Sequence, residues 1–224
     1  MQQGSKKPLT EDEMARRVAQ EVKDGDCINL GAGIPFPVSQ HIRKDIWAMV
    51  HIEHGILGVG GTAQGSLRDR DLMGLGRRPL TAVPGASCFS SIEAFTMLRG
   101  GHIDLSVLGA YQVSKKGDLA NWLIPGQCPI IGGAMDIVGH VKHLIVMMTH
   151  VTKKGEPKIL NECTLPVTGY GVVNTIVTDM AVIEVTPEGL LLLEVAPGYT
   201  PEEIQTNTEP LLNVSPDLKE IPMR

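Results

Sequence analysis

The chain has 224 residues, 42% of them hydrophobic and 4% aromatic, with a formal net charge of -5. That length and apolar content suffice for the core of one large domain, while the acidic balance and the scattered basic pairs Lys6-Lys7, Arg16-Arg17, Arg77-Arg78 and Lys153-Lys154 offer no footprint for nucleic acid. No apolar stretch reaches the roughly 18 to 20 residues of a membrane span, and the first residues lack the apolar core of a signal peptide, so a cytoplasmic location is expected.

Thr10 and Glu13 form a capping box, and Met14, Ala15, Val18, Ala19 and Val22 recur at helical spacing, which predicts a helix over 11–23. Cys27–Leu30 reads as a strand, after which Gly31-Ala32-Gly33 turns into a helix start at Ile34-Pro35. Trp47–Val50 reads as a second strand. Glu53 then falls near its C-terminal end, where open α/β sheets bind ligands. Glycines at 55, 58, 60 and 61 predict a tightly bending loop behind it. By itself this leaves Glu53 either a site carboxylate or a solvated turn residue.

Ser90 and Glu93 give a second capping box, Gly100-Gly101 ends that helix, and the strand Ile103–Leu108 follows. Alternation of helix and strand to about residue 150 predicts an α/β fold with a mostly parallel open sheet covered by helices. Leu144–Met148 and Thr175–Val177 are strand-like, and Ala181–Val185 with Leu190–Val195 predict a C-terminal β-hairpin about Pro187-Glu188-Gly189. Thr200-Pro201-Glu202-Glu203 starts a last helix. A single domain over 1–224 is expected, with 1–9 and 207–224 as tails.

Gly31-Ala32-Gly33-Ile34-Pro35-Phe36 opens like a dinucleotide fingerprint but sets Phe36 where the third glycine belongs. Its amides either receive an anion at the helix start or simply make a tight turn. His51 and His54 stand three apart across strand and turn and point to opposite sides, so no metal site is expected. Cys27, Cys88, Cys128 and Cys163 lack the spacing of zinc ligands or of a disulfide framework. Ser87, Ser90 and Ser91 lie in no nucleophile elbow. Gly132-Gly133-Ala134-Met135-Asp136 places small residues at a helix start, which either aims amides at one oxygen or permits close packing.

Several segments together resemble one family. They are Asn29-Leu30-Gly31-Ala32-Gly33-Ile34-Pro35, Glu53-His54-Gly55-Ile56-Leu57-Gly58, Pro84-Gly85-Ala86-Ser87, Met97-Leu98-Arg99-Gly100-Gly101-His102, Gly117-Asp118-Leu119-Ala120-Asn121-Trp122, Gly132-Gly133-Ala134-Met135-Asp136 and Cys163-Thr164-Leu165-Pro166. In order and spacing they resemble the B (β) subunit of the 3-oxoacid and acetate CoA-transferases, equivalent to the C-terminal half of single-chain succinyl-CoA:3-ketoacid CoA-transferase. The resemblance implies a fold related to the sugar-phosphate isomerases and a ping-pong transfer through a glutamyl-CoA thioester on Glu53, the position of the family's Glu-Asn-Gly nucleophile. It implies an oxyanion contact from the Gly133-Ala134 turn, and substrate or CoA contacts from Asn29, Gly31, Gly33, His54 and Arg77. For Arg77 a solvated surface position is the alternative.

By the same resemblance CoA is a co-substrate rather than a permanent cofactor, and a separate α subunit completes an α2β2 assembly with the site at the α/β interface. Three departures stand out: His54 replaces the family's Asn, Gly60-Gly61-Thr62-Ala63-Gln64 replaces its Gly-x-Gly-Pro run, and Cys128-Pro129-Ile130-Ile131 is one residue short. Rival readings are a non-catalytic effector-binding protein of the related fold and an acyl-CoA hydrolase.

Overall fold

The computed structural model describes residues 6–222. Helix α1 (Glu11–Ala19) begins where the capping box places it: the Thr10 hydroxyl accepts from the Glu13 amide at 3.2 Å and the Glu13 carboxylate accepts from the Thr10 amide at 2.7 Å. Strand β1 (Cys27–Leu30), the short helix α2 (Val38–His41), β2 (Met49–Ile52), β3 (Ile56–Thr62), β4 (Leu80–Cys88), α3 (Ser91–Arg99) and β5 (Leu105–Leu108) follow. Then come β6 (Gln112–Ser114), β7 (Leu119–Ala120), α4 (Ala134–Ile137), β8 (His143–Met148) and β9 (Ile159–Leu160). The chain closes with β10 (Thr175–Thr178), β11 (Ala181–Thr186), β12 (Gly189–Val195), α5 (Pro201–Thr206) and β13 (Leu212–Glu220).

Ten strands form one open sheet in the order β13-β12-β11-β10-β8-β5-β1-β2-β3-β4, and β6, β7 and β9 form a small second one. The five central strands, β2, β1, β5, β8 and β10, run parallel to one another. Buried on both faces, they use apolar runs such as Ile145-Val146-Met147-Met148, all at most 1% exposed. Antiparallel β3 and β4 flank one side and the β11–β12 hairpin the other. The expected open α/β sheet with its C-terminal hairpin is therefore present. After β1 the chain moves outward through β2, β3 and β4, then returns to the other side of β1 as β5. The β1/β5 boundary is thus the topological switch point, and the crevice beyond its strand ends is the ligand position of such sheets.

The structure departs from the sequence expectations in several places; the helix expected from Ile34-Pro35, for one, begins at Val38. The second strand is Met49–Ile52, two residues later than expected, and Trp47 is exposed. The glycine-rich segment behind Glu53 is a strand, β3, because Gly58 and Gly61, at φ +93° and +124°, form bulges that keep it paired with β4. α1 ends at Ala19, and Val22 joins the core from the turn beyond it.

Each expected tail is structured in part among the described residues. Leu9 is buried and donates its amide to Asp179 O at 2.8 Å, and residues 212–220 form β13, parallel to β12 on the sheet edge. Residues 1–5 and 223–224 lie outside the described residues. In β13 only every third residue, Leu212, Ser215 and Leu218, turns partly inward, so the two-residue alternation that marks a strand is missing.

A buried ion pair ties α1 to these last strands. Arg17 Nε and Nη2 donate to the Glu194 carboxylate at 2.6 and 3.0 Å, and Lys219 of β13 approaches Glu194 at 3.3 Å. Removing the guanidinium leaves a carboxylate that is 2% exposed with only the exposed Lys219 ammonium beside it. Arg17→Ala is therefore expected to lower the unfolding free energy by about 3 to 5 kcal/mol in urea titration; a loss below about 1 kcal/mol would show the pair to be dispensable.

His150 lies 0% exposed at the C-terminal ends of β8 and β10, its Nδ1 and Nε2 each 2.9 Å from the hydroxyls of Thr178 and Thr208. Burial pushes its titration from 6.5 down to about 4. Between those values the unfolded chain binds a proton that the folded chain refuses, so stability falls as pH falls through this window. His150→Gln is expected to remove about 1 kcal/mol per pH unit from that slope, read from urea midpoints at pH 6.5, 5.5 and 4.5.

Candidate active site

Glu53 is the first residue of the turn joining β2 to β3, which the Gly55 amide closes by donating to Ile52 O at 3.0 Å. Gly55 sits at φ +102°, and a Cβ there would lie 1.9 Å from the Phe89 carbonyl oxygen, so only glycine fits. The Phe89 amide in turn donates to Gly55 O at 2.9 Å. Through this contact the turn is fastened to the residues that start α3, whose own capping box, Ser90 with Glu93, fixes their geometry.

The half-buried Glu53 carboxylate accepts from Asn29 Nδ2 at 3.3 Å. Asn29 lies near the end of β1 and is fully buried between His51 and Ser106. On the other side stands Gly133 at the start of α4, where a Cβ would come within 3.2 Å of Glu53 Oε1 and 3.3 Å of the Phe95 ring. Helix α4 is held against α3 by the Arg99–Asp136 ion pair at 2.7 Å, with the same guanidinium 5.9 Å from the Phe95 ring centre.

The sequence-derived candidates separate into two groups. Asn29, Glu53 and Gly133 are brought together. Asn29, expected to contact CoA, has no exposed surface; its amide serves Glu53 instead, because the end of a central strand is covered on both faces. Of the two amides of the small-residue turn, that of Ala134 is already committed to Ile131 O at 3.2 Å. The Gly133 N–H has no acceptor among the described residues. His54 is exposed, whereas His51 is buried.

Arg77 is exposed at φ +58° in the β3–β4 connection and touches none of the Glu53 cluster among the described contacts. Its neighbour Arg78 lies 5.3 Å from the Phe36 ring centre. Gly31 and Gly33 line a groove of about 250 Å³ at the switch point, together with Pro35, Tyr111 and Asn121. Gly31 is tight, since a Cβ would lie 3.3 Å from Val107 O, whereas Gly33 faces open space. Asn121 is fixed there, donating to Gly109 O at 3.2 Å and accepting from Thr168 at 2.7 Å. Among the described residues no cluster of three His, Cys, Asp or Glu side chains could hold a metal, and no helix is long and apolar enough to cross a membrane.

Sequence reasoning missed the supporting roles of His51 and Ser106. The signal was present: each is a polar residue inside a strand whose neighbours are otherwise apolar, and a polar side chain so placed needs a partner.

An open α/β sheet whose strand ends set a carboxylate against a glycine turn defines a protein that handles small molecules at that crevice. The chain belongs to the coenzyme A transferase family, whose sequence profile, described as Coenzyme A transferase, matches residues 11–207, and it is accordingly a transferase. It is 45% identical over 197 residues to the B subunit of the probable succinyl-CoA:3-ketoacid coenzyme A transferase of Bacillus subtilis, covering 88% of this chain and 91% of that one. To the B subunit of the 3-oxoadipate CoA-transferase of Pseudomonas putida it is 44% identical over 201 residues, covering 89% and 94%. Its fold is similar to an acyl-CoA transferase from Escherichia coli O157:H7 solved as a thioester complex with CoA, with TM-score 0.76 and 20% identity, covering 98% of this chain and 44% of the longer one.

The contact between Gly133 and Glu53 yields a direct test. In Gly133→Ala the added methyl would press on Glu53 Oε1, and a displaced carboxylate is expected to lower kcat about 100-fold while the melting temperature stays nearly constant. Unchanged turnover would show that Glu53 does not work in the position seen here.

Proposed function

We propose that this chain is the catalytic β subunit of a two-subunit CoA-transferase that moves CoA between a short-chain acyl-CoA and a 3-oxoacid or other short carboxylic acid, with Glu53 as the covalent carrier. One observation carries the reading: the Glu53 carboxylate stands at the strand ends with an Asn29 N–H on one side and the Gly133 turn on the other. The names of the two bacterial relatives, which specify a 3-ketoacid and 3-oxoadipate, support the acceptor class.

In the proposed sequence, Glu53 attacks the thioester carbonyl, the C–S bond breaks, and CoA leaves as a thiolate from a mixed anhydride. The thiolate then attacks the Glu53 carbonyl of that anhydride, expelling the donor's carboxylate and leaving a glutamyl-CoA thioester. The acceptor carboxylate reverses both steps and regenerates Glu53. Each step exchanges one carboxyl derivative for another of similar reactivity, so no water, metal or redox group is needed. The unused Gly133 N–H is the proposed donor to the oxyanion formed at these carbonyls. Exposed apolar side chains on α3, on α4 and before α4, Ile92 at 77%, Met135 at 57% and Ile130 at 75%, support a partner α subunit seated over the site, in an α2β2 assembly by analogy with the family.

The test uses the chain co-expressed with its partner subunit. With acyl-CoA present, borohydride reduction is expected to convert the Glu53 side chain to an alcohol, located by peptide mass, and Glu53→Gln is expected to lose about 10⁴-fold or more in kcat. An active complex whose Glu53 remains unmodified would refute the carrier role. Release of free acid without any acceptor would point to a hydrolase, and binding without turnover to an effector protein.

A further inference from the structure

We propose that His51 is a positioning residue for this transfer: its Nδ1 holds the side-chain amide of Asn29 so that an N–H, and not the carbonyl oxygen, faces Glu53. The inference rests on the nucleophilic role proposed for Glu53.

Asn29, His51 and Ser106 form a row across the sheet, Asn29 in register with His51 on β2 and with Ser106 on β5. All three are 0% exposed. The Ser106 hydroxyl donates to Asn29 Oδ1 at 3.2 Å. Asn29 Nδ2 faces three acceptors: Glu53 Oε2 at 3.3 Å, His51 O at 3.4 Å and His51 Nδ1 at 3.3 Å. A proton on Nδ1 would face the amide hydrogens of Asn29 donor to donor, so this arrangement favours the neutral tautomer with its proton on Nε2. Burial keeps the ring neutral, pushing its titration down to about 4.

The other ring nitrogen shows what this arrangement costs. Nε2 is buried with no hydrogen-bond partner among the described residues, and an unpaired buried polar group is destabilising. An apolar side chain of similar size would avoid that cost and still pack on Phe89, whose ring stacks on His51 at 6.2 Å. It would remove the side-chain acceptor and leave Asn29 Nδ2 only the main-chain His51 O beside Glu53.

Ser106 cannot replace that acceptor, because a hydroxyl donates or accepts and so suits either orientation of the amide. His51 Nδ1 discriminates. A flipped Asn29 would set its oxygen against Nδ1, His51 O and Glu53, four acceptors with no proton among them. The same contact serves the covalent stage. When Glu53 is a thioester its oxygen accepts more weakly, and the Asn29 N–H shifts toward His51 until the carboxylate is regenerated.

The experiment compares substituted complexes, each co-expressed with the partner subunit, using succinyl-CoA and acetoacetate as probe substrates. His51→Leu is expected to lower kcat about 10- to 100-fold with KM for succinyl-CoA within about twofold. His51→Asn, whose Oδ1 replaces the Nδ1 acceptor, is expected to recover most of kcat. His51→Met, a more adaptable apolar replacement, serves in place of Leu if that variant does not assemble.

A raised KM at unchanged kcat, or an Asn variant no better than the apolar ones, would overturn the proposal. Borohydride labelling separates the two readings. Label at Glu53 with all His51 variants indistinguishable refutes the positioning role alone, whereas no label in the unsubstituted complex refutes the nucleophile reading on which it rests.

Discussion

The hydrogen bond from Asn29 Nδ2 to Glu53 Oε2, 3.3 Å long, is the contact around which the rest of the site is arranged. It brings a donor from the central strand of the sheet to a carboxylate on a turn, and both ends must be fixed for it to form. The strand end is fixed by register: β1 pairs with β2 on one side and β5 on the other, so Asn29 cannot slip without carrying His51 and Ser106 out of line. The turn end is fixed by glycine. Gly55 admits the Phe89 carbonyl where any other residue would collide with it, so the carboxylate's position depends on helix α3 as well as on its own hairpin.

That coupling explains why motifs far apart in the chain act on one site. The Ser90–Glu93 capping box orders the start of α3; its preceding residue Phe89 clamps Gly55 and stacks on His51. Further along the same helix, Phe95 and Arg99 hold α4, which delivers Gly133 to the other face of Glu53. Two glycines therefore mark close approaches, Gly55 to the Phe89 main-chain carbonyl and Gly133 to the Glu53 carboxylate. A third, Gly31, does the same for the groove at the switch point.

Most of the architecture was legible because its signals are local. The capping boxes at Thr10 and Ser90 are both formed, the helix start at Thr200-Pro201 holds a third, and the apolar runs mark the central parallel strands. Apart from the end of α1, the main misreadings share a cause, which is that strand pairing is not local. Gly58 and Gly61 spell a loop in isolation, yet β4 beside them turns the same residues into a bulged strand. Residues 212–220 read as a polar tail until the open edge of β12 supplies partners for their backbone. In the site, Glu53 and the Gly133 turn were legible as residue types, whereas the row beneath them needed the register of three strands. Nor does anything in its own segment show that Asn29 is covered.

The division of labour in the proposed reaction follows from exposure. Glu53 is only half-buried, and Ile92, Ile130 and Met135, on and near the helices that pack beside it, face outward. An acyl-glutamyl anhydride in that setting would meet water, and its hydrolysis would compete with return of the thiolate. In the proposed reaction this chain would supply the nucleophile and its Asn29 donor from the strand ends and the Gly133 amide from the start of α4, where small displacements are resisted by packing. It does not hold the wall that keeps the intermediate dry. On this reading the partner subunit protects the thioester more than it assists its chemistry, and exposed apolar residues are the surface such a wall would cover. The buried row extends the same logic inward: with the intermediate shielded from outside, the groups beneath Glu53 must be satisfied without water, and His51 supplies the acceptor that solvent cannot.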